Sequence, residues 1–135
     1  MVGMKKYTSW IVTVVAVIAI FGGIIWYSTS VSGGSGKYDG FASCIAESKA
    51  VFYGAFWCPH CQSQKALFGK SAKNLPYVEC STPDGQGQTA ECKAAGIQSY
   101  PTWKFADGTQ KNGELSLETL ASSTGCVLVE DVVAP

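Results

Sequence analysis

The chain has 135 residues, room for one domain of about 100 residues and a short appendage. Ten acidic residues balance ten basic ones, and every basic residue is Lys. The planar guanidinium fork that grips phosphate bidentately is therefore absent, which makes nucleic acid a poor candidate partner. Six cysteines are many for this length. They read as disulfides in an oxidising compartment and as metal ligands or catalytic thiols in a reducing one, so the compartment must decide.

The first segment supplies the compartment. Residues 7–36 carry no charge, and residues 10–27 are almost wholly apolar, interrupted by Thr13 and the Gly22-Gly23 pair. As a helix that stretch rises about 27 Å, close to a hydrocarbon core of about 30 Å, so it reads as one transmembrane anchor. Lys5 and Lys6 precede it. The positive-inside rule then leaves residues 1–9 in the cytoplasm and everything after residue 27 outside, with Trp10 and Trp26-Tyr27 at the two interfaces. A cleaved signal peptide, cut within residues 28–30, shares the basic start, but its apolar region usually runs about 7 to 15 residues. Both readings export the rest of the chain. A buried core helix is the third reading, and the lack of any polar face argues against it.

Residues 28–37 are Gly/Ser-rich and read as a linker. The globular domain is expected over residues 38–126, with a tail at 127–135. Apolar residues at 38, 41, 42, 45 and 46 have helical spacing, and residues 50–56 form an apolar run expected as a central, two-sided strand. A helix should open near Cys58, with Pro59 in its first turn, and run to about residue 70. Residues 76–80 read as a short strand, 81–87 as a turn-rich loop, and 88–95 as a helix stopped by Gly96. Strands at 102–106 and 109–113 flank Asp107-Gly108, a strong hairpin signal, before a helix over 116–123 that ends at Gly125. No internal repeat is visible.

Cys58-Pro59-His60-Cys61 falls where the apolar strand meets a helix. A sulfur at a helix N-terminus meets the positive end of the dipole and unpaired N–H groups, which favour its thiolate. Cys58 is the expected exposed nucleophile. Cys61, one turn inward on the same face, is placed to resolve a mixed disulfide on Cys58. His60, when protonated, adds a positive charge beside the sulfur, although an incidental surface position is the plainer alternative. Stabilising the thiolate makes the disulfide form a better oxidant.

Phe56-Trp57-Cys58-Pro59-His60-Cys61 resembles the active-site segment of thioredoxin-fold oxidoreductases, and Gly96-Ile97-Gln98-Ser99-Tyr100-Pro101-Thr102 resembles the cis-proline segment of that family. Within it, residues 53–62 and 77–81 are similar to the thioredoxin-like domain that bacteria fuse to vitamin K epoxide reductase homologues. The Cys-Pro-His-Cys motif also resembles periplasmic oxidants of the DsbA type, without room for their helical insertion. The resemblance covers about residues 38–126. It implies an α/β thioredoxin fold with a four-stranded mixed sheet in the order 76–80, 50–56, 102–106, 109–113. It also implies a cis Pro101 facing the two cysteines and offering backbone groups to an extended substrate. Thioredoxins proper carry a buried Asp in the strand before the motif, where this chain has Phe52, which puts general reductase activity in doubt. Glu79 is a candidate replacement for that acid if it faces inward; a solvated edge position is the alternative.

A zinc site would need four ligands, and no second Cys pair stands at zinc spacing. A purely structural Cys58–Cys61 bridge would close too small a loop to add much stability. The other four cysteines allow three pairings. Cys80 with Cys92 and Cys44 with Cys126 are expected as structural disulfides; a second redox pair at Cys80 and Cys92 is the functional alternative. Trp57 and Tyr100 are expected to shape the rim that a peptide touches, and Trp103 to pack within a strand.

These readings combine into an extracytoplasmic, membrane-anchored protein thiol-disulfide oxidoreductase, forming disulfides in exported protein thiols without a dissociable cofactor or metal. By family analogy its pair is reoxidised by a membrane quinone-linked reductase of the vitamin K epoxide reductase type. A reductase or isomerase, and a non-catalytic binding or assembly module, are the rival readings.

Overall fold

The structure, a computed structural model, describes residues 10–23 and 35–130. It divides into two units, Met1–Gly34 and Ser35–Pro135. In the first, residues 10–23 form helix α1, along which Ile11, Val15, Ile18 and Phe21 are exposed. The expected span over 10–27 is described only over its residues 10–23. Residues 24–27 lie outside the described residues, and among the described residues no helix is long and apolar enough to cross a membrane. The readings for residues 1–9, 28–34 and 131–135 also fall outside the described residues.

The second unit runs α2 (Asp39–Glu47), β1 (Val51–Gly54), α3 (Pro59–Phe68), a 3-10 helix (Gly69–Asn74), β2 (Tyr77–Glu79), α4 (Ala90–Ala94), β3 (Thr102–Lys104), β4 (Gln110–Asn112) and α5 (Leu117–Thr124). Its four strands form one mixed sheet in the expected order β2-β1-β3-β4. β1 pairs parallel with β2 and antiparallel with β3, so both edges of the strand are satisfied. That is why its sequence reads as a continuous apolar run rather than an alternation.

Alternation along β1 feeds two cores. Phe52 points into the larger one, with Phe41, Ile45, Phe68, Trp103 and Leu120. There it stacks on Trp103, with ring centroids 4.8 Å apart, and meets Tyr77 edge-on at 5.1 Å. Tyr53 points to the smaller cluster with Cys80, Cys92 and Ile97. Truncating a buried aromatic such as Phe52 to Ala typically costs about 3–5 kcal/mol, a large share of a small domain's stability.

Turn chemistry sets where the elements stop. Gly108 takes φ +84°, its N–H bonds Phe105 O, and Phe105 N–H bonds Thr109 O, closing the hairpin read from Asp107-Gly108. The helix expected to run to residue 70 ends at Phe68, because Gly69 adopts φ +53° and the chain continues as a 3-10 turn. A glycine can take that backbone angle where an L side chain is strained.

Two disulfides close the unit. Cys44–Cys126 joins α2 to the segment after α5 across 82 residues, and Cys80–Cys92 joins the end of β2 to α4 across 12. In the chain-entropy model the longer loop stabilises more, about 4.5 kcal/mol against about 3. Urea unfolding of the full chain should therefore show a larger loss for Cys44→Ala/Cys126→Ala than for Cys80→Ala/Cys92→Ala. The reverse order would contradict the clamp assigned to the long bridge.

Candidate active site at the strand-to-helix junction

β1 delivers the chain through Ala55–Trp57 to Cys58, the N-cap of α3, with Pro59 in the first turn where a missing N–H costs nothing. Cys58 is extended (φ −78°, ψ 117°), and its Sγ accepts a hydrogen bond from Cys61 N–H at 3.4 Å. That donor is one of the helix's unpaired N–H groups, aimed at whatever negative charge the sulfur carries during exchange. Cys58 and Cys61 are the two unpaired cysteines. The fold thus brings them together one helical turn apart.

Cys58 is less open than the sequence reading has it: the residue is 4% exposed and Cys61 is fully buried. The cause is the facing loop. The Tyr100–Pro101 peptide bond is cis, and Cys58 Sγ–H donates to Tyr100 O at 3.7 Å. Pro101 is fully buried. Trp57 meets Tyr100 edge-on at 6.1 Å, and Phe56 and Trp57 are about half exposed, so an apolar rim surrounds the sulfur.

The rim is braced by residues the motif does not announce. Phe56 N–H donates to Glu79 Oε1 (3.2 Å), Gln62 Nε2 donates to Phe56 O (2.7 Å), and Trp57 Nε1 donates to Ser81 Oγ (2.8 Å). Tyr100 is held through its hydroxyl by Gln88 Nε2 at 2.9 Å. Glu79 also accepts from Ser81 N–H (2.8 Å) and from the Tyr77 hydroxyl (2.7 Å). It is half-buried with both carboxylate oxygens engaged, which is neither the buried relay nor the solvated edge residue weighed from sequence.

His60 lies on the rim, its side chain 72% exposed, with Nδ1 2.6 Å from Glu114 Oε1. The ring thus meets a carboxylate. Glu114 is set in place by the segment after β4, which buried Gln64 of α3 anchors: its Nε2 donates to Leu115 O (3.0 Å) and its Oε1 accepts from Leu115 N–H (2.7 Å). Glu114, Gln64, Gln62, Ser81 and Gln88 escaped the sequence reading, since each acts on a partner set by tertiary folding.

Burial is the first cause that pushes the Cys61 thiol from 9.0 up to about 12; the hydrogen-bonded Cys58 sulfur adds to it. A backbone hydrogen bond from Ala55 and the charge of Lys65 pull the other way. The phenol of Tyr77 is likewise held protonated, by burial and then by the Glu79 carboxylate. Among the described residues no three His, Cys, Asp or Glu side chains gather where a metal ion could be held. Cys80 and Cys92 are fully buried in their disulfide, away from solvent.

The thioredoxin family model matches residues 37–124. The chain belongs to the thioredoxin family. The sheet order and flanking helices are those of the thioredoxin fold. Among relatives, the chain is 40% identical over 106 residues to the thiol-disulfide oxidoreductase LTO1 of Arabidopsis thaliana, covering 74% of this chain and 28% of that protein. It is 25% identical over 114 residues to a protein disulfide-isomerase of Aspergillus niger, covering 81% and 21%. It is 26% identical over 74 residues to mycoredoxin 1 of Corynebacterium glutamicum, covering 55% and 91%. The chain therefore spans about a quarter of the length of the first two. The two unpaired thiols of this thioredoxin-family chain stand one helical turn apart at the strand-to-helix junction, an arrangement suited to thiol-disulfide chemistry.

A thiol raised on folding favours its protonated form. Its share of stability is intact below its ordinary value of 9.0 and is lost as pH climbs towards about 12. The Cys58–Cys61 disulfide form has no such proton. Denaturant unfolding from about pH 9 upward should show the reduced protein losing stability faster than the oxidised protein; equal slopes would contradict the burial assigned to Cys61.

Proposed function

We propose that this protein forms disulfides in exported protein thiols, from a membrane-anchored position outside the cytoplasm. The observation that carries the exchange chemistry is the Cys58–Cys61 pair, unpaired and one turn apart while the other four cysteines are bridged. Two structural disulfides in so small a domain favour an oxidising compartment. The uncharged α1, with its apolar side chains exposed, supports the anchor, as do Lys5 and Lys6 before it.

In the forward reaction a substrate thiolate attacks Cys58 of the enzyme disulfide, and Cys61 leaves as a thiolate. A second substrate thiol then attacks the substrate sulfur of the mixed disulfide, Cys58 leaves, and the enzyme is left as a dithiol. The rim of Phe56, Trp57 and Tyr100, with the backbone at Pro101, suits an extended apolar-rich segment of a client. The resemblance to domains fused to vitamin K epoxide reductase homologues supports a membrane quinone-linked reductase as the reoxidant. Phe52, apolar where general reductases hold an acid, supports the oxidising direction.

A reductase or isomerase is the second reading, favoured by the isomerase among the relatives. Equilibration of the full chain with glutathione buffers separates the two. The oxidant reading expects a potential between about −180 and −120 mV, whereas a value near about −270 mV would overturn it. Cys58→Ser should abolish client oxidation; full cellular function in that variant would favour a scaffold role.

A further inference from the structure

Behind Cys61 lies a group of residues that the exchange reaction as described leaves unused. Gly54, at the end of β1, has no side chain where one would collide: a Cβ there would stand 2.8 Å from Tyr77 Cε2 and 3.1 Å from Cys61 Sγ. The Tyr77 ring and the Cys61 sulfur therefore border the same small space. Lys65 follows Cys61 by one helical turn on the same face of α3. Its Nζ stands 3.3 Å from the centre of the Tyr77 ring, well within cation–π range.

The ring is a fixed seat. Its hydroxyl donates to Glu79 Oε2 at 2.7 Å, and Phe52 packs against it at 5.1 Å. Glu79 is in turn held by the N–H groups of Phe56 and Ser81.

Cys61 must bear negative charge whichever way electrons flow. When it resolves a mixed disulfide, its proton goes to solvent and its sulfur bonds Cys58; the Cys58–substrate bond breaks and the substrate sulfur leaves with the electron pair. When substrate thiolate attacks Cys58 of the enzyme disulfide, the Cys58–Cys61 bond breaks and Cys61 takes the pair. A thiol pushed up to about 12 is ionised in only about one molecule in 10⁵ at neutral pH, and the charge of Lys65 is among the influences that pull it down. The titratable groups facing Cys61 are Cys58 and Lys65 from α3 and Tyr77 from β2, with Glu79 behind Tyr77. Of these, Lys65 is the positive one.

We propose that Lys65, seated on the ring of Tyr77, stabilises the Cys61 thiolate during exchange, and that Tyr77 is the positioning residue that holds it there. The inference rests on the exchange reading but not on its direction. It replaces the acid missing at position 52 with a cation on the helix itself.

Reduced full-length protein is mixed with excess 5,5′-dithiobis(2-nitrobenzoate). One coloured thiolate is released as Cys58 forms the mixed disulfide and a second as Cys61 resolves it. Lys65→Met should slow the second phase about tenfold at pH 7 and move its pH profile up by about one unit, with the first phase unchanged. Lys65→Arg should restore it, Tyr77→Phe, which keeps the ring, should change it less than about twofold, and Tyr77→Leu should slow it as Lys65→Met does. An unaltered second phase in Lys65→Met overturns the proposal. So does a Tyr77→Phe variant as slow as Lys65→Met, which would assign the effect to the hydroxyl and Glu79 as a proton path. Lys65→Gln serves in place of Lys65→Met if circular dichroism shows the latter unfolded. Wild-type protein releasing no second equivalent would instead refute exchange itself.

Discussion

The hydrogen bond from Cys61 N–H to the Cys58 sulfur, 3.4 Å long, ties the two reactive groups to the first turn of one helix. Capping and chemistry are the same contact: the side chain that satisfies an orphan N–H of α3 is the side chain that exchanges bonds. The contact persists because β1 is locked between two strands and cannot shift without losing both ladders. From that fixed end the braces on Phe56 and Trp57 hold the intervening loop, and the cis Tyr100–Pro101 bond brings a carbonyl to the sulfur from the opposite side.

The site trades exposure for definition. Cys58 shows only 4% of its surface, so an incoming chain must meet the rim before it meets the sulfur. The buried partner is costly to ionise, and the fold answers with dipoles and one helix-borne charge rather than an interior carboxylate. Phe52, at the position where a general reductase would hold an acid, instead stacks on Trp103 and serves the core. The same strand therefore supports stability through one residue and chemistry through its glycine two residues on, which leaves room for Tyr77 beside Cys61.

Local signals carried much of this into view. The Cys-Pro-His-Cys motif, the continuous apolar strand and the Asp107-Gly108 hairpin are each encoded within a few residues, whereas counting alone leaves three pairings for the four outer cysteines. What stayed hidden depends on partners far away in sequence: Glu79 acts on Phe56 across 23 residues, Gln64 on Leu115 across 51, and Glu114 on His60 across 54. The end of α3 at Phe68 was legible in principle, since Gly69 is a helix stop, yet the expected helix carried on through it to about Lys70. The burial of Cys58 was not legible, because it is made by a loop more than forty residues away. The apolar segment over residues 10–27 reads as a bilayer span from hydropathy, whereas its described portion, residues 10–23, is too short to be one by itself.

Trapping tests the exchange mechanism most directly. In a full-length Cys61→Ala variant expressed in its own cell type, a client caught on Cys58 has no resolving thiol beside it. Mixed disulfides should accumulate, run as reducible high-mass bands on non-reducing gels, map to Cys58, and vanish when Cys58 is also replaced. A variant that gathers no such adducts, or gathers them equally without Cys58, would contradict the account.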